Sequence, residues 1–125
     1  MNDIKHFTDL QAWQVNHENV KMIYKITQRF PKEERFGMID QRRRVSSSVM
    51  ANIAEGWGRY HYADRIRFYY QARGSAYEVE NFLLLARDLE YISREDSTKI
   101  IDDIHQGCRV INGLIRSLEE RSTRS

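Results

Sequence analysis

Apolar residues recur every three or four positions along most of the chain. Leu10, Trp13, Val20, Ile23, Ile26 and Phe30 form one such stripe, which stops at Pro31. A 3.6-residue period puts these side chains on one face of an α-helix. Thr8 and Gln11 have capping-box spacing with Phe7 at the staple position, so the pattern predicts a first helix over about residues 9–30. His17 lies on the same stripe and is expected to be a hydrogen-bonded core residue.

After Pro31, the acids Glu33 and Glu34 suit the start of a second helix, over about residues 35–57. Its apolar positions are sparse: Met38, Ile39, Val45, Val49 and Ile53. Ser47, Ala51 and Ala54 would allow another helix close approach. Gln41, Arg44, Ser48, Asn52 and Glu55 are three or four apart and share a face. We expect these five, with Glu78 and Glu80 across the bundle, to form a structural polar network, with Arg44 buried and paired to Glu55, Glu78 or Glu80. The third helix, about 62–92, carries Phe68, Ala72, Ser75, Ala76, Val79, Phe82, Leu83, Ala86 and Leu89 on its core face. Gly74 in its middle calls for a packing reason, such as contact with the small residues of the second helix. Ser93 reads as an N-cap for the fourth helix, about 94–120, whose stripe runs from Ile100 to Leu118 and includes Cys108; residues 121–125 are expected to be disordered.

Four long helical patterns with short connections predict an all-α, up-down-up-down four-helix bundle. Composition agrees. With 125 residues, one Pro and six Gly, the chain suits a single domain and lacks the turn residues of an all-β fold. The net charge of +2 conceals an asymmetry. Residues 35–73 hold eight Arg against Asp40, Glu55 and Asp64, a net of +5, whereas residues 78–120 hold ten acids against five bases, a net of −5. Either the basic segment meets an anionic partner, or the two segments neutralise each other within or between subunits. One cysteine cannot form an internal disulfide, no apolar run approaches a membrane span, and no export signal opens the chain, so a cytoplasmic protein is expected.

Candidate chemistry centres on NIAEGWGRYH, residues 52–61. A phosphate-binding G-x-G follows a strand and opens a helix, where N–H groups and the positive dipole end face the anion. Gly56 and Gly58 instead follow a long helical stretch, so one of them is expected at the left-handed position that ends a helix. The single Asp102-x-x-His105 pair lacks the second pair and extra carboxylates of a bundle metal site, and no nucleophile stands beside a base. No enzyme activity, metal or cofactor is therefore expected. Within Arg42-Arg43-Arg44, successive residues turn by about 100°, so the three cannot share a surface; Arg42 or Arg43 is expected to face outward. Together with Arg59, Tyr60, Arg65 and Arg67, these two form a cation–aromatic set of the kind that binds single-stranded nucleic acid. The other reading is a soluble, ion-paired face with tyrosines at subunit contacts.

FTDLQAWQ (7–14), Phe30-Pro31, Gln41, Arg43-Arg44, Ser48, NIAEG (52–56), Gly58-Arg59, GSAYEVE (74–80) and LEYI (89–92) resemble, in order, the four-helix-bundle proteins encoded by intervening sequences in bacterial 23S ribosomal RNA genes. The resemblance covers roughly residues 7–118. Arg42 departs from it, standing where an aliphatic residue is usual, as does Val45-Ser46 in place of an Ala-rich pair. The resemblance implies a homopentameric ring without known catalytic activity. It extends distantly to the basic pentameric accessory protein of diversity-generating retroelements, which works with a reverse transcriptase and nucleic acid. The expectation is a non-enzymatic oligomeric scaffold that binds RNA or another nucleic acid. The alternative is a protein–protein interaction module that binds none.

Overall fold

Four amphipathic stripes leave water only by facing one another, and the computed structural model, which describes residues 4–124, shows how they do so. Helices α1 (Gln11–Thr27), α2 (Asp40–Trp57), α3 (Tyr62–Asp88) and α4 (Arg94–Arg124) follow in order, with no strand among the described residues. Each packs on its sequence neighbours, and α1 closes the bundle against α4. The core runs through Ile23, Ile53, Tyr69, Phe82, Leu83 and Ile111, all essentially removed from solvent. Burying each such side chain contributes about 1.5–3 kcal/mol, the dominant favourable term in the bundle.

Polar links cross every helix–helix seam. Arg43 of α2 donates from Nε to Thr27 Oγ1 (3.0 Å) and from Nη2 to the Tyr24 carbonyl (3.0 Å) of α1. Ser48 of α2 donates to Ser75 Oγ of α3 at 2.8 Å. Between α3 and α4, Arg73 donates to Asn112 Oδ1 at 2.8 Å, and His105 Nε2 lies 2.9 Å from Glu80 Oε1. On the α1–α4 seam, Asn16 and Asn19 of α1 donate to the carbonyls of Gly107 (3.4 Å) and Asp103 (2.9 Å). A Cβ on Gly107 would stand 2.5 Å from Asn16 Oδ1, so glycine is what lets α4 come this close to Asn16.

Several ends differ from the sequence expectation. The N-terminal capping box is one turn early. His6 caps a 3₁₀ turn over Phe7–Asp9, and Asp9 returns the bond to the His6 amide at 3.1 Å. Leu10 then starts α1 without a side-chain cap. A 3₁₀ turn (Lys32–Glu34) and a π-helical stretch (Arg35–Ile39) precede α2, so its α-helical part opens at Asp40 and not near residue 35. The third helix stops at Asp88, not Ile92. Glu90 adopts φ 64°, and the Tyr91 and Glu90 amides donate to the carbonyls of Ala86 (2.9 Å) and Arg87 (3.0 Å). That is a Schellman end built on a residue other than glycine. Ser93 caps α4 as expected, accepting from the Asp96 amide at 3.0 Å. The helix continues through Arg124, past the expected end near residue 120, while Ser125 lies outside the described residues.

The glycines also exchange roles. Gly56 sits inside α2, buried, where a Cβ would meet Tyr69 Cε1 at 2.7 Å and Phe68 Cβ at 3.1 Å. The absence of a side chain there lets α3 pack closely on α2. Gly74, expected at that contact, is exposed and has open space where its side chain would be. Neither Gly56 nor Gly58 is left-handed. Gly58 has φ −77°, and its amide reaches back to the Ala54 and Glu55 carbonyls, closing the helix by a tightened last turn.

Candidate nucleic-acid interface

The arginines chosen from the sequence divide into two sets with different surroundings. On α2 the buried face is Ser46, Val49, Ile53 and Gly56. Arg42 is four residues before Ser46 and so lies on the same line. Its guanidinium sits 5.2 Å from the Phe82 ring centroid, and its Nε is buried with no hydrogen-bond partner among the described residues. Arg43 turns toward α1, where it also covers the Tyr24 ring at 5.0 Å. Arg44 is the exposed member. The expectation for the triplet is therefore reversed: the first two serve the bundle and the third faces solvent.

The second set occupies the corner where residues 58–61 join α2 to α3. Arg65 reaches back along α3 and donates from Nε to the Arg59 carbonyl at 2.7 Å, with the Trp57 and Tyr62 rings 5.6 and 5.9 Å from its guanidinium. A cation near the C-terminal end of α2 is favoured by that helix's dipole, so Arg65 fastens the corner. Arg59 and Arg67 both lie over Phe68, with guanidinium carbons 4.6 and 4.5 Å from its centroid. Each has one carboxylate, Glu55 at 3.1 Å and Asp64 at 3.7 Å, in ion pairs open to water. Such pairs contribute between nothing and about 1 kcal/mol, so a phosphate can replace either carboxylate at small cost. Tyr60 projects from the same corner, 87 % exposed, with His61 edge-on at 5.0 Å.

Arg59, Tyr60 and Arg67 were expected at an interface, whereas Phe68 was expected on the core face of α3. The ring is half-buried, and it is the platform on which both guanidiniums rest. The spacing Arg59…Phe68 with Arg67 adjacent carries no helical signal, because the pair crosses a turn.

The polar stripe of α2 is not one network. Gln41, Arg44 and Glu55 are exposed; Ser48 crosses to Ser75, and Asn52 donates only to the Ser48 carbonyl of its own helix at 2.8 Å. Glu55 pairs with Arg59, not Arg44. Across the bundle, Glu78 is exposed and Glu80 meets His105. The stripe is mainly the solvent face of α2.

Other reactive side chains are placed for packing. His17 stacks on Trp13 (4.6 Å, 15°), and its Nδ1 is buried without a hydrogen-bond partner among the described residues, unlike the bonded core histidine expected. Burial pushes the Cys108 thiol above its ordinary range, with Glu80 adding to the effect, so the nucleophilic thiolate is disfavoured. Burial likewise raises the Tyr69 phenol, partly offset by Arg65. Among the described residues, no group of three His, Cys, Asp or Glu side chains converges as a metal site would require. No helix among them is long and apolar enough to cross a membrane.

Comparisons with known proteins agree with this architecture. Residues 8–113 match the family model described as 23S rRNA-intervening sequence protein. A crystal structure from Bacteroides thetaiotaomicron VPI-5482, of a protein with unknown function from the S23 ribosomal protein family, superposes with a TM-score of 0.74 at 28 % identity, covering 83 % of this chain and 97 % of that one. No protein of curated function matches the chain.

Proposed function

The chain belongs to the 23S rRNA-intervening sequence protein family, and from that premise we propose that it is a non-enzymatic, self-associating bundle that binds RNA at the α2–α3 corner. The observation that carries this reading is the pair of guanidiniums held over Phe68 beside the solvent-exposed Tyr60. Cations already laid on an aromatic face lose little freedom on meeting a phosphate. The single buried cysteine suits a reducing cytoplasm, where such a partner would be met.

Self-association has separate support. Tyr70, Gly74, Tyr77 and Leu85 fall on one exposed line of α3, and the open space at Gly74 leaves room for a second surface to approach. The opposite charges of residues 35–73 and 78–120 suit a head-to-tail ring such as a homopentamer. The same α3 line favours the second reading, a module whose partner is another protein.

A mobility-shift assay with RNA across a salt series tests the first reading. Binding should be tightest at low salt and weaken linearly in log–log form as phosphate contacts release counterions. No shift at low salt, with a protein partner recovered on the α3 face, would replace it with the second.

A further inference from the structure

We infer that the corner is built for single-stranded and not duplex nucleic acid, with Tyr60 as the residue on which an unpaired base stacks. This deepens the RNA-binding reading and rests on it.

Exposure ranks the groups at the corner. The Tyr60 residue is 87 % exposed, whereas the side chains of Arg59 and Arg67 are 41 % and 55 % exposed. A duplex presents its phosphates outward and keeps its bases stacked inside, so a surface made for it offers cations first and gains nothing from a free ring. In RNA the mismatch is greater, because the A-form major groove is too deep and narrow for side chains to read and the minor groove offers 2′-hydroxyls and phosphates. Here a phenol ring is more exposed than either arginine side chain. Among the described residues nothing covers the ring beyond an edge contact with His61. The guanidiniums lie back on Phe68, each in a water-exposed ion pair that a nucleic-acid backbone phosphate can replace. Residues 58–61, which carry Tyr60, form a short turn between two helix ends, so the ring itself stands on neither a helix side nor a two-stranded ribbon of the kind that enters a groove.

Arg65 makes the arrangement rigid without taking part in contact. Its bond to the Arg59 carbonyl fixes the backbone just before Tyr60, so the ring starts from a defined base. It is a positioning residue.

The test uses the full chain and fluorescence anisotropy at low salt. One probe is a labelled RNA of mixed sequence without self-complementarity, and the other is the same RNA annealed to its complement. The single strand should bind at least tenfold more tightly. Tyr60→Ala should weaken single-strand binding roughly five- to hundredfold, the effect of removing one stacking aromatic, and Tyr60→Phe should retain it. Duplex binding should be unchanged by either substitution. Thermal melts of both variants should match the parent, since Tyr60 supports no buried contact. Equal binding of both probes, or an unaffected Tyr60→Ala variant, would overturn the stacking role while leaving RNA binding in place. Binding of neither probe would overturn both.

Discussion

Arg42 and Arg43 in the first turn of α2 and Arg59 and Arg67 at the α2–α3 corner are the same residue type in the same basic segment, yet they do different work. The first two lie over Phe82 and Tyr24, inside the bundle's seams, and Arg43 spends its donors on Thr27 and Tyr24. The second two also lie over a ring, Phe68, but their remaining donors face water and single carboxylates. Local density of arginine therefore says little about where phosphate is met. What decides it is whether the guanidinium's donors still face water after packing.

The sharpest way to break the contrast is at Gly56, which sets the spacing beneath the corner. Gly56→Ala places a methyl 2.7 Å from the buried Tyr69 ring. Overpacking of about 1–3 kcal/mol should outweigh the gain in helix propensity of about 1 kcal/mol. Chemical denaturation should show a net loss, whereas Gly74→Ala, with open space around it, should show a gain of up to about 1 kcal/mol. Next comes Arg43→Ala, which removes two hydrogen bonds and a ring contact and should cost about 1–2 kcal/mol of stability. RNA affinity should stay within twofold. Arg42→Leu removes a buried donor that has no partner while keeping apolar contact with Phe82, so stability should be unchanged or rise by up to about 1 kcal/mol. A large loss there would contradict a purely packing role for Arg42.

The smallest effect concerns Cys108. Its folded-state thiol titrates above the ordinary value, so its contribution to stability is complete below about pH 8.5 and fades as pH rises through the folded-state value. Stability measured against pH should therefore fall on the alkaline side, and Cys108→Ala should lessen that fall. At neutral pH, a thiol reagent should react only as fast as the protein unfolds.

The bundle was legible because burial in a helix repeats every 3.6 residues, and Ile23, Ile53, Phe82 and Ile111 carry that period openly. The site was half legible. Arg59, Tyr60 and Arg67 could be named, but the inward register of Arg42 was hidden, because the buried line of α2 passes through Ser46 and Gly56, which hydropathy does not mark. The polar stripe from Gln41 to Glu55 therefore looked like the inner face, when most of it meets solvent. Helix ends were the least legible. Gly58 stops α2 in a right-handed conformation, and Glu90 takes the left-handed position that composition would give to glycine. Glu90→Gly should recover about 1 kcal/mol, which a thermal melt would show as a modest rise in midpoint. Asn16, Asn19 and Gly107 were missed as a unit, because a polar contact between α1 and α4 spans some 90 residues and leaves no local pattern.

The most direct test of the central claim is the salt dependence of RNA affinity for two double variants, Arg42→Gln/Arg43→Gln and Arg59→Gln/Arg67→Gln. Loss of two phosphate contacts should lower the log–log slope by about 1.4 for a single strand. That decrease, with at least tenfold weaker binding at low salt, is expected for the corner pair, and an unchanged slope for the Arg42/Arg43 pair. A reduced slope in the Arg42/Arg43 variant with an intact one in the corner variant would contradict RNA binding at the corner.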